Sequence, residues 1–264
     1  MKNIKQTIKV ILTLAKLQMS SAMMYRTSFW AAFLADLTLF AIQLAVFGVI
    51  AQNGSIGGWN IYHLTVFTGT FIALDGLYMA TYFFGVISIP DKIRTGTLDL
   101  AVVNPVNTLL YTAFGNINPG SFLLFIVGIG IVAYGGARLG VLTFTGIINY
   151  LVIFILMYVL LLALMLIWRC LSFWLTKVDA AQKIEETLVE FSFRLPLPGI
   201  YGVWKVLLFI VLPYGLISNM PSIALFGHFG FKHWVLCIGV TGSFLGLALY
   251  LWRVGMRRYD SSSS

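Results

Sequence analysis

The sequence predicts an all-α integral membrane protein with six transmembrane helices, preceded by an amphipathic helix lying in the membrane interface. Three observations carry this prediction. First, 59% of the 264 residues are hydrophobic and only 10% are charged, where a soluble domain is about a quarter charged. The mean hydropathy is +0.92. Second, several apolar runs reach the ~20 residues a helix needs to cross the hydrocarbon core. Third, charge sorts by side. With six spans and a cytoplasmic N-terminus, the cytoplasmic segments are 1–28, 90–118, 169–205 and 253–264. They hold 15 of the 17 Lys and Arg, and only Arg138 and Lys232 fall outside. That is the positive-inside pattern, and it places both termini on the cytoplasmic side of the membrane.

The elements follow in order. Residues 1–26 place Ile4, Ile8, Ile11, Leu12 and Ala15 at helical spacing with lysines on the other side, which predicts the interfacial helix. Lys2, Lys5, Lys9 and Lys16 recur through this stretch, so it lacks the apolar core of a signal peptide. Residues 28–50 are the first span. Residues 61–89 are the second, ended by Pro90. Residues 120–137 and 146–171 are the third and fourth. A polar stretch, 172–200, contains "VDAAQKIEETLVEF" and reads as a cytoplasmic surface helix. Residues 201–218 are a fifth, shortish span, 219–231 an interruption too short to cross, and 233–252 the sixth span.

Composition excludes several function classes. A net charge of +8 would suggest nucleic acid in a soluble protein; in this chain it marks the cytoplasmic face, so no nucleic-acid partner is expected and the bilayer is. Trp30, Trp59, Trp204, Trp234 and Trp252 fall near the span ends as an anchoring belt. His63, His228 and His233 lack ligand spacing, so no metal site is expected. Cys170 and Cys237 read as small buried hydrophobes. No Ser/His/Asp or Cys/His arrangement can be assembled. No phosphate-cradling G-x-x-x-x-G-K-[ST] loop occurs, so the chain carries no nucleotide-binding domain, no catalytic residue and no cofactor of its own. On the sixth span, Gly239, Gly242 and Gly246 present a small face that suits close helix packing, within the subunit or between subunits.

The most specified segment is 90–105, "PDKIRTGTLDLAVVNP". Pro90 stops the second span. Asp91 is placed to cap a short turn, and Gly96 to end it in the left-handed conformation. Thr97 or Asp99 is placed to cap a second turn carrying Leu98, Leu100, Val102 and Val103. Asn104-Pro105 blocks continuation. One or two short helices along the cytoplasmic face result, with Lys92, Arg94 and Asp99 towards water. A plain connector needs only a few residues. The segment is therefore either a docking element for a partner or an interfacial turn of the chain.

The stretch "IRTGTLDLAVVNPVNTLL" resembles I-R-x-G-x-L-D-x-x-L-x-x-P-x-N, found after the second helix in bacterial ABC type-2 transporter permeases. Ile93, Arg94, Gly96, Leu98, Asp99, Pro105 and Asn107 match. Val102 or Val103 stands where leucine is usual, and Asn104 where a basic residue is common. "RLPLPGIYGVWKVLLFIVLPYGLISNMPSIALFG" is similar to the late segment of these permeases, with Pro198, Ile200, Tyr201, Pro213 and Pro221 in register, and "GMRRYDSSSS" to their tail. The resemblance runs from about residue 20 onward. It implies the ABC type-2 exporter fold. It makes 90–105 a coupling helix, with Asp91, Lys92, Ile93, Arg94, Gly96, Leu98, Asp99 and Pro105 facing a cytoplasmic ATPase dimer that holds ATP and Mg. It also implies a second permease subunit, and 219–231 as an external re-entrant element closing the exit.

Asp36 and Asp75 lie within spans, where a carboxylate costs ~2.5–3.5 kcal/mol on insertion scales and so faces protein or water. They read either as polar spots on a translocation path for a cationic substrate or as buried partners of a hydroxyl or a cation such as Arg26. Proton coupling through Asp75 is a rival use, and a membrane scaffold with the same docking loop is another.

Overall fold

A computed structural model of the chain describes residues 4–24, 26–52, 57–175, 179–199, 201–227 and 229–262. Among the described residues thirteen α-helices run in order: α1 Ile4–Met24, α2 Arg26–Gln52, α3 Ile61–Thr81, α4 Phe83–Ile87, α5 Ile89–Arg94, α6 Asp99–Val103, α7 Thr108–Phe114, α8 Phe122–Leu139, α9 Phe144–Cys170, α10 Asp179–Arg194, α11 Val203–Val206, α12 Leu216–Leu225 and α13 Phe231–Ser262. Among the described residues five helices are long and apolar enough to cross a membrane: α2, α3, α8, α9 and α13. The stretches Val203–Val211 and Pro213–Leu225 pass the same test as a pair bent by 82°.

The helix starts follow from local chemistry. Asn60 accepts hydrogen bonds from the Tyr62 and His63 amides and caps α3. Thr143 does the same for α9 through Gly146 N, and Asn107 for α7 through Leu110 N. Gly140, in the left-handed region, closes α8.

α3 is the centre of the bundle. It runs antiparallel to α2, with Phe40 on Phe71 and Phe47 on Phe67. It runs antiparallel to α8 through glycines on both helices. A Cβ at Gly76 would strike the Phe125 amide nitrogen, and one at Gly128 would strike the Ala73 backbone. Small residues let the backbones approach this closely, and such packing is what drives helix association once both surfaces are equally apolar. α9 lies beside α3, where the Tyr82 hydroxyl donates to the Tyr158 carbonyl at 3.0 Å. The end of α13 meets the end of α9, with Gly255, Trp252 and Tyr259 around Phe173.

The α1 end of the bundle is tied by polar contacts. Thr7 Oγ1 accepts from Asn107 N at 2.9 Å, and the Gln18 amide bonds Gly115 O at 3.0 Å and Ile117 N at 2.6 Å. Thr7 and Gln18 are three turns apart and share one face. Ile4, Ile8 and Leu12 lie on the adjoining face and are exposed.

Three expectations are corrected. The second span is not one helix to Pro90. It breaks at Tyr82 and Ser88, and Pro90 sits in the first turn of α5, where its missing N–H costs nothing. The polar stretch 172–200 is not wholly a surface helix, although most of the described α10 side chains are exposed. α10 leaves the inner end of α9, buries Glu185 against Arg169, and leads to Leu195 and Leu197, which bond the Asn219 amide. Pro198 then lies against Gly57 in the α2–α3 connection, at the other end of the bundle. The segment 169–205 therefore does not lie on one face. Finally, the interruption within 219–231 is confined to the stretch between α12 and α13, and a second helix break falls earlier, at Leu212–Pro213, because Leu212 has φ −129° and ψ 80°. α12 runs through Asn219 and is buried along its length. Tyr214 bonds Trp168 near the end of α9, and Leu225 lies on Gly146 near its start, so α12 is antiparallel to α9.

Cys170 and Cys237 are both buried free thiols. Gly239, Gly242 and Gly246 do not pack within the subunit. A Cβ at any of them would meet nothing within 4 Å.

Candidate functional site

The predicted docking segment folds as two short helices. α5 carries Asp91, Lys92, Ile93 and Arg94. The Asp91 carboxylate does not cap the helix; it accepts from Arg94 at 3.1 Å, and both side chains are exposed. An exposed pair of this kind contributes little to stability. Gly96 has φ 73° and turns the chain into α6. Neither Thr97 nor Asp99 caps α6. The residue before it is Leu98, and the Thr97 hydroxyl pairs with that of Thr95 at 2.9 Å. Asn104, extended at ψ 143°, ends the helix ahead of Pro105.

Burial sorts the segment into an anchor and a free edge. Ile89, Leu98 and Ala101 are buried, while Leu100 and Val103 are 70% and 85% exposed. Arg94 and Asp99 face outward, as expected. Lys92 is half-buried, and burial lowers its ammonium below the ordinary lysine range. Gly96 is the hinge of this arrangement. Gly96→Ala is expected to strain the left-handed turn by about 1–2 kcal/mol. The readout is faster proteolytic nicking between 94 and 98; nicking at the wild-type rate would count against it.

Asp36 and Asp75 come together on one half-open cavity of about 730 Å³, lined by α2, α3, α4, α9 and α10. Asp75 is buried and within hydrogen-bonding reach of the Tyr78 hydroxyl one turn on. Asp36 is half-buried on α2, close enough to Asp75 for the two charges to interact. The Arg26 side chain, considered as a partner for Asp36, lies outside the described side chains.

The cavity holds residues that the sequence did not single out. α10 contributes Glu185, Glu186, Val189 and Glu190, and α9 contributes Leu161, Met165 and Arg169. Arg169 Nη1 lies 2.8 Å from Glu185 Oε2, with the side chains 1% and 2% exposed. The signal was present in "QKIEETLVE". Glu186 and Glu190 lie one turn apart with Glu185 on the flank, and acidic side chains on a helix packed against apolar spans turn towards protein or a polar cavity. A hydropathy average hides that pattern.

The comparisons with known proteins agree with this architecture. No curated protein and no solved structure matches the chain. Residues 36–263 match the family described as ABC-2 family transporter protein. That match takes in the candidate spans from Asp36 of α2 onward, the segment 90–105 and the acid-lined cavity, and the chain belongs to the ABC-2 family of transporter proteins.

Proposed function

We propose that this chain is the permease subunit of an ATP-driven ABC exporter, moving a hydrophobic or amphipathic substrate across the cytoplasmic membrane by alternating access. The observation that carries the reading is the α5–α6 segment. Leu98 and Ala101 anchor α6 in the bundle, so Leu100 and Val103 project on a fixed base. Two exposed aliphatic side chains on an anchored helix suit a groove in a partner protein. That partner is a cytoplasmic ATPase dimer, which holds the ATP and Mg that this chain has no loop to bind. ATP drives transport because the ATPase binds the two permease states with different affinity. Six crossings, as the charge distribution predicts, bring both termini to the cytoplasmic face. The outward apolar face of α2 and the open glycine face of α13 are the surfaces available to lipid and to a second permease subunit.

A pull-down from detergent-solubilised native membranes tests this, with intact mass measured for every co-eluting chain. Wild type is expected to bring down an ATPase with a phosphate-binding loop and a second permease. The pair Leu100→Asp, Val103→Asp is expected to lose the ATPase and keep the fold, since substitutions at exposed positions stay within about 0.5 kcal/mol. Arg94→Ala with Asp99→Ala is expected to weaken the same contact. Identical partners in all samples, or a lone chain, would overturn the coupling assignment. Asp75, buried on a cavity, supports one second reading: a proton-coupled transporter, in which Asp75→Asn abolishes transport with no ATPase present.

A further inference from the structure

We infer that the cavity between α2, α3, α9 and α10 binds an amphipathic organic cation; the inference rests on the permease reading and names its substrate class. Five of the chain's nine acidic residues line this one cavity: Asp36, Asp75, Glu185, Glu186 and Glu190. Among the described residues Arg169 is the one basic side chain on the wall. Five carboxylates against one guanidinium give a formal charge of −4, in a chain whose net charge is +8.

Buried polar atoms facing the cavity lack partners. Glu185 is 2% exposed and its Oε1 has no hydrogen bond, and neither has Nε of Arg169 beside it. Asp75, 9% exposed, meets the cavity one helix away. Leaving such groups unmet is costly; Arg169 Nε is a single donor on a wall with five carboxylates, so acceptors dominate and favour something polar and positive. The rest of the wall is apolar: Phe40, Phe71, Phe83, Met79, Met165 and Leu161. Aromatic faces attract a cation as well as covering its apolar body. The volume falls in the range of small-molecule sites. The carboxylates are spread around the wall, and among the described residues no three His, Cys, Asp or Glu side chains converge to hold a metal ion. A bulky cation fits this distribution. An anion of the same size would face an excess of carboxylates and is excluded by repulsion.

The test uses the full chain in phosphatidylcholine nanodiscs and two probes of matched shape and opposite charge, tetraphenylphosphonium and tetraphenylborate. Tetraphenylphosphonium is expected to bind saturably and tetraphenylborate not to compete. Asp36→Asn with Glu186→Gln is expected to weaken tetraphenylphosphonium about tenfold or more. Leu161→Trp keeps every charge, fills the cavity, and is expected to weaken it as well. Absent binding, equal binding of the two probes, or an affinity unchanged in both variants would overturn the inference. The wild-type comparison of the two probes needs no variant to fold. Failure here with an ATPase still recovered in the pull-down would reject the substrate class alone. Charge-selective binding with no ATPase recovered would reject the exporter reading and leave the site standing.

Discussion

Replacing Glu185 by leucine is expected to destabilise the folded chain by about 3–5 kcal/mol, the usual cost of removing one partner from a buried ion pair. Arg169 is 1% exposed and 2.8 Å from the Glu185 carboxylate. Without that carboxylate its guanidinium stays buried and uncompensated. The double replacement Arg169→Met with Glu185→Leu removes both charges and is expected to restore stability to near wild type, because the desolvation cost disappears with the attraction. The measurement is a double-mutant cycle on thermal or chemical unfolding in detergent. Additive single-variant effects, or an unchanged midpoint for Glu185→Leu, would mean that water in the adjoining cavity compensates Arg169 and that the pair does not hold α10 in place.

Gly128→Leu is expected to cost about 3 kcal/mol or more, at the upper end of overpacking effects. A Cβ at Gly128 would lie 2.7 Å from Ala73 Cα and 2.8 Å from Gly69 O. Those atoms are backbone and cannot rotate away. α3 and α8 would have to separate, losing the dispersion contacts along their whole shared face. Gly130→Leu, two residues on, is the control, since a Cβ there meets nothing within 4 Å. The unfolding midpoint and the monodisperse fraction in detergent are the readouts. Equal behaviour of the two variants would show that the α3–α8 contact does not limit stability.

Local chemistry was readable directly. The left-handed Gly96 and the stop at Asn104-Pro105 follow from the backbone limits of those residues, and both are found where expected. The candidate spans α2, α3, α8, α9 and α13 were visible because length and apolar composition alone define them. Asp36 and Asp75 stood out because carboxylates are rare in such runs. Glu185, Glu186 and Glu190 were equally placed to line the cavity, yet they sat in a segment whose average polarity marked it as surface. The glycines misled in the opposite way. Gly242 and Gly246 form a G-x-x-x-G on one helix but face open space, while the glycines that bring helices together are shared between α3 and α8. No pattern within a single helix records which partner it will meet.

By itself, the sequence determined an all-helical membrane chain, its apolar spans, the punctuated segment 90–105, and the lack of a phosphate-binding loop in the chain. These depend on composition, spacing and the conformational limits of Gly, Pro and Asn, all of which act over a few residues. Tertiary structure decided that α10 docks on α9 and α12 through Glu185, that the chain bends at Leu212–Pro213, and that five carboxylates from α2, α3 and α10 share one cavity. Those outcomes depend on which polar face finds a partner. Glu185 finds Arg169 and Asn219 finds the Leu195 and Leu197 backbone only once distant helices have packed.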